Sequence, residues 1–369
     1  MATQRQQVLS ALRAVMDPDL HEDIVQLGFV KNLFIEGEHV RFEVELTTPA
    51  CPVKEQLQEA ARAAVEALEG GDRAEVTMTA RTRGAAVQRA TGAAMGGVQN
   101  ILAVASGKGG VGKSTTAVNV AWALARRGAS VGILDADVYG PSISHMTGAD
   151  IPSELDELKR SIPPMVDGIK VVSMAMFVPA KRPMMLRGPR VTAILQQFVA
   201  GFSWGELDYL LVDMPPGTGD AHITLTQLLP LTGVLLVTTP QEVAVLDSRR
   251  AATMFSAVNV PVLGVVETMS GFRCGACDAL HPIFEGEGGA TLARELNVDL
   301  LGQIPLDPQV VVGGERARPV VVDAPDAPAS AAYEAVAEQL IRRLAVRNVK
   351  ADGALDHFEL VWDSEGAHA

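Results

Sequence analysis

The sequence predicts an α/β protein, with a small α/β domain followed by a larger domain whose mostly parallel sheet is flanked by helices. Two observations carry that expectation. From Ile101 onward five near-continuous apolar runs, ILAVA, SVGIL, YLLVD, GVLLVTT and PVLGVVE, alternate with helical stretches. Strands of that kind belong in a parallel sheet covered on both faces. Before Ile101 the grammar differs: Val40, Phe42, Val44 and Leu46 alternate strictly with polar residues, the pattern of a half-buried strand. The 369 residues exceed one average domain.

Taken in order, Gln4 to Val15 has helical spacing. LFIEGEHV holds a turn signal ahead of the alternating strand, so a hairpin is expected. Pro52 stands where a first helical turn would begin, and Leu57, Ala61, Val65 and Leu68 mark one helix face. Gly70-Gly71 stops that helix, and AEVTMTA reads as a last strand. Residues 81–100 carry three Arg, no acid, four Gly and five Ala without a clear period, which reads as a linker. A helix around Tyr333 to Leu344 closes the second pattern, and an acidic tail follows. The expected boundaries are 1–82 for the small domain, 83–99 for the linker, 100–348 for the large domain and 349–369 for the tail.

Composition narrows the function classes. Hydrophobic residues make up 48% of the chain and aromatics only 4%, so the core is built mainly from aliphatic side chains. A net charge of −13 steers the chain away from nucleic acid and anionic lipid, and neither is an expected partner. Three cysteines, Cys51, Cys274 and Cys277, are too few and odd in number for a disulfide framework. The first residues carry charges through their apolar stretch, and no run of 18 apolar residues occurs. The cytoplasm is the expected location.

Gly107-Lys108-Gly109-Gly110-Val111-Gly112-Lys113-Ser114 fits G-x-x-x-x-G-K-[ST] at every defined position, between the strand ILAVA and a helical stretch that opens with Ser114 and Thr115. Glycines in such a P-loop let backbone N–H groups turn towards phosphate oxygens, and the helix N-terminus adds a positive dipole. Lys113 would neutralise the outer phosphates of ATP, and the Ser114 hydroxyl would ligate Mg²⁺. LLVDMPPGTGD ends an apolar strand in Asp213, where a carboxylate would hold the hydration shell of Mg²⁺. ILDADVYGPS ends another strand with Asp135 and Asp137. The plain alternative for either segment is an Asp that caps a helix.

Lys108 makes the loop resemble the deviant Walker A subgroup, K-G-G-x-G-K-[ST], which includes the nitrogenase iron protein, partition ATPases and arsenite-pump ATPases. That resemblance implies that Lys108 reaches the nucleotide of the other subunit in a homodimer, and that Asp137 orients or deprotonates the attacking water. A solvated loop lysine is the plain alternative.

Cys274-Gly275-Ala276-Cys277 follows VLGVVE and TMSGFR. A C-x-x-C alone fits a redox dithiol, half a zinc site or half an iron–sulfur site. Two copies of the chain would supply four thiolates, the number that holds a [4Fe–4S] cluster or a four-thiolate zinc.

Together these segments, with MLRGP, SWGELDYLLVDMPPGTGD, TTPQEVA, IPLDPQ and GGERARPVV, resemble the Mrp-type (ApbC-type) iron–sulfur cluster carrier ATPases over roughly residues 1 to 345. DPDLHEDIVQLGFVKN and ELTTPACPVKEQ resemble the small SufT-like domain often fused to them. The resemblance implies ATP binding and hydrolysis, a cluster bridging Cys274 and Cys277 of two subunits, and its transfer from a cluster donor to apo iron–sulfur clients. It assigns Lys108, Gly109 to Thr115 and Asp213 to nucleotide and Mg²⁺. Cys51 matches the cysteine of the small domain's T-x-P-x-C-P segment, where a contact with cluster or client and a plain packed cysteine are equal expectations. A free thiol just ahead of a helix is expected to have a lowered pKa.

One departure stands out. Relatives usually show E-N-M-S where this chain has Glu267-Thr268-Met269-Ser270, and that Asn generally contacts adenine. Thr lacks the amide needed for the same paired hydrogen bonds. Rival readings are a partition-type spatial organiser, an electron-transfer ATPase and a zinc-bridged scaffold dimer. The acidic tail and net charge weigh against the first. The close spacing of the cysteines weighs against the second.

Overall fold

A computed structural model describes residues 4–36, 39–68, 73–82, 84, 95–152, 154–177, 188–274, 277 and 279–356. Most of the expected linker, Gly70-Gly71, part of MLRGP, Gly275, Ala276 and residues 357–369 lie outside them.

The amino-terminal part runs α1 (Gln4–Leu12), β1 (Val30–Glu36), β2 (His39–Leu46), α2 (Lys54–Glu66) and β3 (Arg73–Ala80). β1 pairs antiparallel with β2, the expected hairpin. The alternation in β2 puts Val40, Phe42, Val44 and Leu46 into the core of this unit. β2 then pairs parallel with β3, with α2 as the crossover between them. α2 buries Leu57, Ala61 and Val65 on the predicted face. It begins two residues after Pro52, and Leu68 falls beyond its end.

The larger part contains β4 (Val98–Ala105), α3 (Lys113–Arg126), β5 (Val131–Asp135), α4 (Ile143–Thr147), β6 (Met165–Val166), β7 (Ile169–Ser173), α5 (Gly188–Ala200) and β8 (Leu207–Asp213). There follow α6 (Asp220–Leu228), β9 (Gly233–Thr238), α7 (Glu242–Ala257), β10 (Val262–Arg273), β11 (Leu280–His281), α8 (Gly288–Glu295) and β12 (Leu300–Leu306). The chain closes with α9 (Pro308–Glu315), α10 (Val320–Asp323) and α11 (Pro328–Asp356).

β4 to β12 form one sheet in the order β11-β10-β9-β4-β8-β5-β7-β6, with β12 also paired to β10. The pairs among β7, β5, β8, β4, β9, β10 and β12 are parallel, and the hairpins β6–β7 and β10–β11 are antiparallel. Successive residues of the central strands serve opposite cores. Leu102 and Val104 pack with α3 and α11, while Ile101, Ala103 and Ala105 pack with α5 and α7. Burial on both faces is why these strands read as unbroken apolar runs. β4 starts at Val98, earlier than the apolar run suggests, because Gln99 and Asn100 interrupt the pattern.

The segment 47–52 of the amino-terminal part rests on this larger unit. Ala50 joins the core that contains α3 and Tyr209 of β8. Asp19 forms an ion pair with Arg342 of α11 at 2.6 Å.

Candidate functional site

The parallel strands β4, β5 and β8 deliver three segments to one end of the sheet. β4 runs into the loop 106–112, whose last glycine caps α3. Gly110 and Gly112 adopt φ of +78° and +79°, where any side chain would be strained. The Ser106 hydroxyl donates to the Lys108 carbonyl at 2.9 Å, and the Ser106 carbonyl accepts from Gly217 N–H at 3.0 Å. That second bond ties the predicted phosphate loop to the segment 214–219 after β8. Gly107 lies flush against the Asp247 backbone, so only glycine fits there. Gly109 faces Pro216, and Val111 is buried.

The charged side chains meet just beyond. Lys113 Nζ lies 2.6 Å from Asp213 Oδ1 and 3.9 Å from Asp137 Oδ2. The Ser114 hydroxyl donates to Asp213 Oδ2 at 2.6 Å. All three of Lys113, Asp137 and Asp213 are buried. Burial pushes the Asp213 carboxyl up from the usual range, opposed by the Lys113 ammonium and the Ser114 hydroxyl. A buried carboxylate and a hydroxyl bonded to each other at the head of a helix are a hard-oxygen donor set, which fits Mg²⁺. Thr115 is half-buried behind Ser114. Lys108 is half-buried and forms no ion pair among the described residues.

The two aspartates after β5 divide their work. Asp137 accepts backbone N–H groups of Tyr139 and Gly140, both at 3.1 Å, and turns its other oxygen towards Lys113. Asp135 is held elsewhere. Its carboxylate accepts from Asp137 N–H, Ser142 N–H, Ile143 N–H and the Ser173 hydroxyl. It therefore caps the start of α4, as the plain alternative allowed. Burial first, and the nearby Asp213 second, push its pKa up to about 7.

β10 links this centre to the cysteine pair. The Thr268 hydroxyl donates to the Val111 carbonyl at 2.6 Å and also approaches the Thr238 carbonyl at 3.1 Å. Position 268 thus braces the glycine loop with the one hydroxyl it has. After Thr268 the register with β12 shifts, Met269 takes φ of +55°, and the strand leads to Arg273. Cys274 follows, half-buried, its N–H bonded to the Ala279 carbonyl at 2.9 Å; Cys277 is exposed in the turn to β11. A cavity of about 490 Å³ lined by Phe272, Arg273, Pro305, Asp307 and Gln309 opens beside Cys274. Among the described residues no group of three or more Cys, His, Asp or Glu is placed to hold a metal ion.

Cys51 fits the expectation of a packed cysteine but not that of a lowered pKa. It is not grouped with the pair but packs with the amino-terminal core. Burial, aided by Asp17 and Asp19, outweighs the Val53 N–H and pushes the thiol pKa up to about 11. The expected lowering for a thiol ahead of a helix is therefore overturned. Ser106 and the bracing role of Thr268 had no sequence signal, since each depends on a partner brought in by another segment.

Against known proteins, residues 97–341 match the family model described as NUBPL iron-transfer P-loop NTPase. The chain belongs to that family. Residues 5–78 match a model described as iron-sulfur cluster assembly protein. An iron-sulfur cluster carrier protein of Synechocystis is 43% identical over 346 residues, 92% of this chain and 97% of that one. Its counterpart in Deinococcus radiodurans is 44% identical over 345 residues, 93% and 96% of the two chains. Among solved structures, a nucleotide-binding protein of Archaeoglobus fulgidus in complex with ADP is 35% identical, with a TM-score of 0.54 over 61% of this chain and 88% of that one.

Proposed function

We propose that this P-loop NTPase is a homodimeric, ATP-hydrolysing carrier of an iron–sulfur cluster. The cluster is its cargo, received from a donor and passed to apo-proteins. The observation that carries the reading is the path of β10, which bonds to the glycine loop through Thr268 and ends at Arg273, next to Cys274. The names of relatives that match nearly the whole chain point the same way.

In this reading Cys274 and Cys277 of two copies hold a [4Fe–4S] cluster between them, at a turn exposed enough for exchange. Gly107 to Thr115 wrap the phosphates of ATP. Lys113 moves from Asp213 onto the outer phosphates, and Lys108 reaches the nucleotide of the second copy. Ser114 and Asp213 would hold Mg²⁺, which would offset phosphate charge. Asp137 takes the proton of the attacking water. Movement of the glycine loop pulls on the Val111 carbonyl, and β10 passes that pull to the cysteine turn. The small domain takes residues 1–82, and the large one runs from β4, which starts at Val98 within the expected linker 83–99, through α11, which reaches Asp356 beyond the expected limit of 348. The location is the cytoplasm.

The direct test is transfer to an apo-protein with and without ATP, in the wild type and in Lys113→Ala. ATP-dependent transfer in the first only is expected. Equal transfer in all four conditions would refute the coupling.

A further inference from the structure

His222, the third residue of α6, is 1% exposed, and among the described residues neither ring nitrogen has a hydrogen-bond partner. The ring meets Phe255 of α7 edge-on, with centroids 6.4 Å apart and planes at 74°. Burial, and then the Lys113 ammonium, push its pKa down to about 4, so the imidazole is neutral near pH 7. A neutral imidazole carries one donor and one acceptor. Leaving both unmet in a buried place costs stability, and such a group calls for an explanation.

The surroundings supply one. The carbonyls of Pro215 and Gly219 face the ring closely enough to oppose the lowering of its pKa, though neither makes a hydrogen bond of normal geometry to it. The Gly219 carbonyl already accepts from His222 N–H at 3.0 Å, whereas among the described residues no backbone N–H is bonded to the Pro215 carbonyl. Pro215 belongs to the segment 214–219 that follows Asp213 and is tied to the glycine loop through Gly217 and Ser106. Open space adjoins that segment: Gly217 sits at φ +92°, and a side-chain carbon at Gly217 or Gly219 would meet nothing within 4 Å. The ring also lies within the electrostatic reach of both Lys113 and Asp137.

We infer that His222 is a positioning residue for hydrolysis: its ring N–H bonds the Pro215 carbonyl when the segment 214–219 closes on the terminal phosphate. The inference rests on the nucleotide loop assigned above. The unmet donor destabilises the open segment and is satisfied in the closed one, so His222 favours closure without touching the nucleotide. ADP, which lacks the terminal phosphate, does not draw on it.

The test compares His222→Leu and His222→Gln in the full chain. The Leu variant is expected to bind ADP within twofold of wild type while kcat for ATP falls at least tenfold. The Gln variant, whose amide N–H can donate, is expected to recover to within about threefold. Unchanged kcat in the Leu variant, or a Gln variant as slow as Leu, would overturn the inference. ¹⁵N spectra of the wild-type imidazole provide a readout that needs no variant. A neutral ring whose N–H gains a hydrogen bond on going from ADP to ADP with beryllium fluoride is expected; identical spectra would overturn it. Failure of the wild-type chain to bind ADP would overturn the loop assignment as well, and is read separately from kcat.

Discussion

The Tyr209 hydroxyl lies 2.8 Å from Thr48 Oγ1, a buried contact between residues 161 positions apart. Tyr209 stands on β8, four residues before Asp213, and Thr48 belongs to the segment that carries Cys51. The amino-terminal part is therefore fastened to the strand that presents the aspartate. Removing one partner of a buried hydrogen bond costs about 1–3 kcal/mol.

Tyr209→Phe is expected to destabilise the chain by that amount in chemical denaturation. In a double-mutant cycle with Thr48→Val, a coupling above ~0.5 kcal/mol is expected. Strictly additive effects would mean that the two hydroxyls do not meet in solution.

The raised pKa of Cys51 has a kinetic consequence, because thiolate rather than thiol attacks an alkylating reagent. At pH 8 the folded chain should alkylate at Cys51 on the order of 100-fold more slowly than the denatured chain. Mass spectrometry after timed iodoacetamide exposure reads this directly. Cys277, which is exposed, should label before Cys51. Equal labelling of Cys51 in the folded and denatured chains would contradict the burial described here.

Asp135 gives stability a pH dependence. Its folded pKa, about 7, stands above the unfolded carboxylate value. Between pH 4 and 7 the native state thus holds a proton that the unfolded state has lost. The associated stability is present at the acid end and disappears as pH rises through 7. Asp135→Asn, which cannot titrate, should flatten that part of the profile of unfolding free energy. A slope identical to wild type would assign the titration to another group.

Much of this architecture was legible in the chain. Val40 to Leu46 alternated because one face of β2 is buried, and ILAVA and YLLVD ran unbroken because both faces of β4 and β8 are. β6, β7 and β12 escaped notice: β6 is only Met165–Val166, Lys170 interrupts the apolar run of β7, and Gly302 and Pro305 break up β12. The glycine loop announced its own position, since its geometry demands those residues. Thr48–Tyr209, Thr268–Val111 and the unmet ring of His222 were invisible, because each depends on segments far apart in sequence. The lowered pKa expected for Cys51 failed because local helix geometry lost to tertiary burial.

Thr268 offers a further check. Thr268→Val keeps the shape but deletes the bond to the Val111 carbonyl, and should weaken nucleotide binding roughly five- to tenfold, about 1 kcal/mol. Thr268→Ser should bind as wild type does in calorimetry. A Val variant with unchanged affinity would remove Thr268 as the brace of the loop.

The central claim is that Cys274 and Cys277 of two copies hold the cargo. The most direct measurement is anaerobic reconstitution with iron and sulfide, counted per dimer, in wild type and in Cys274→Ser/Cys277→Ser. The account predicts about four iron and four sulfide per wild-type dimer, none in the double variant, and ADP binding intact in both. Iron and sulfide retained by the double variant, or a wild-type chain that takes up only zinc, would contradict it.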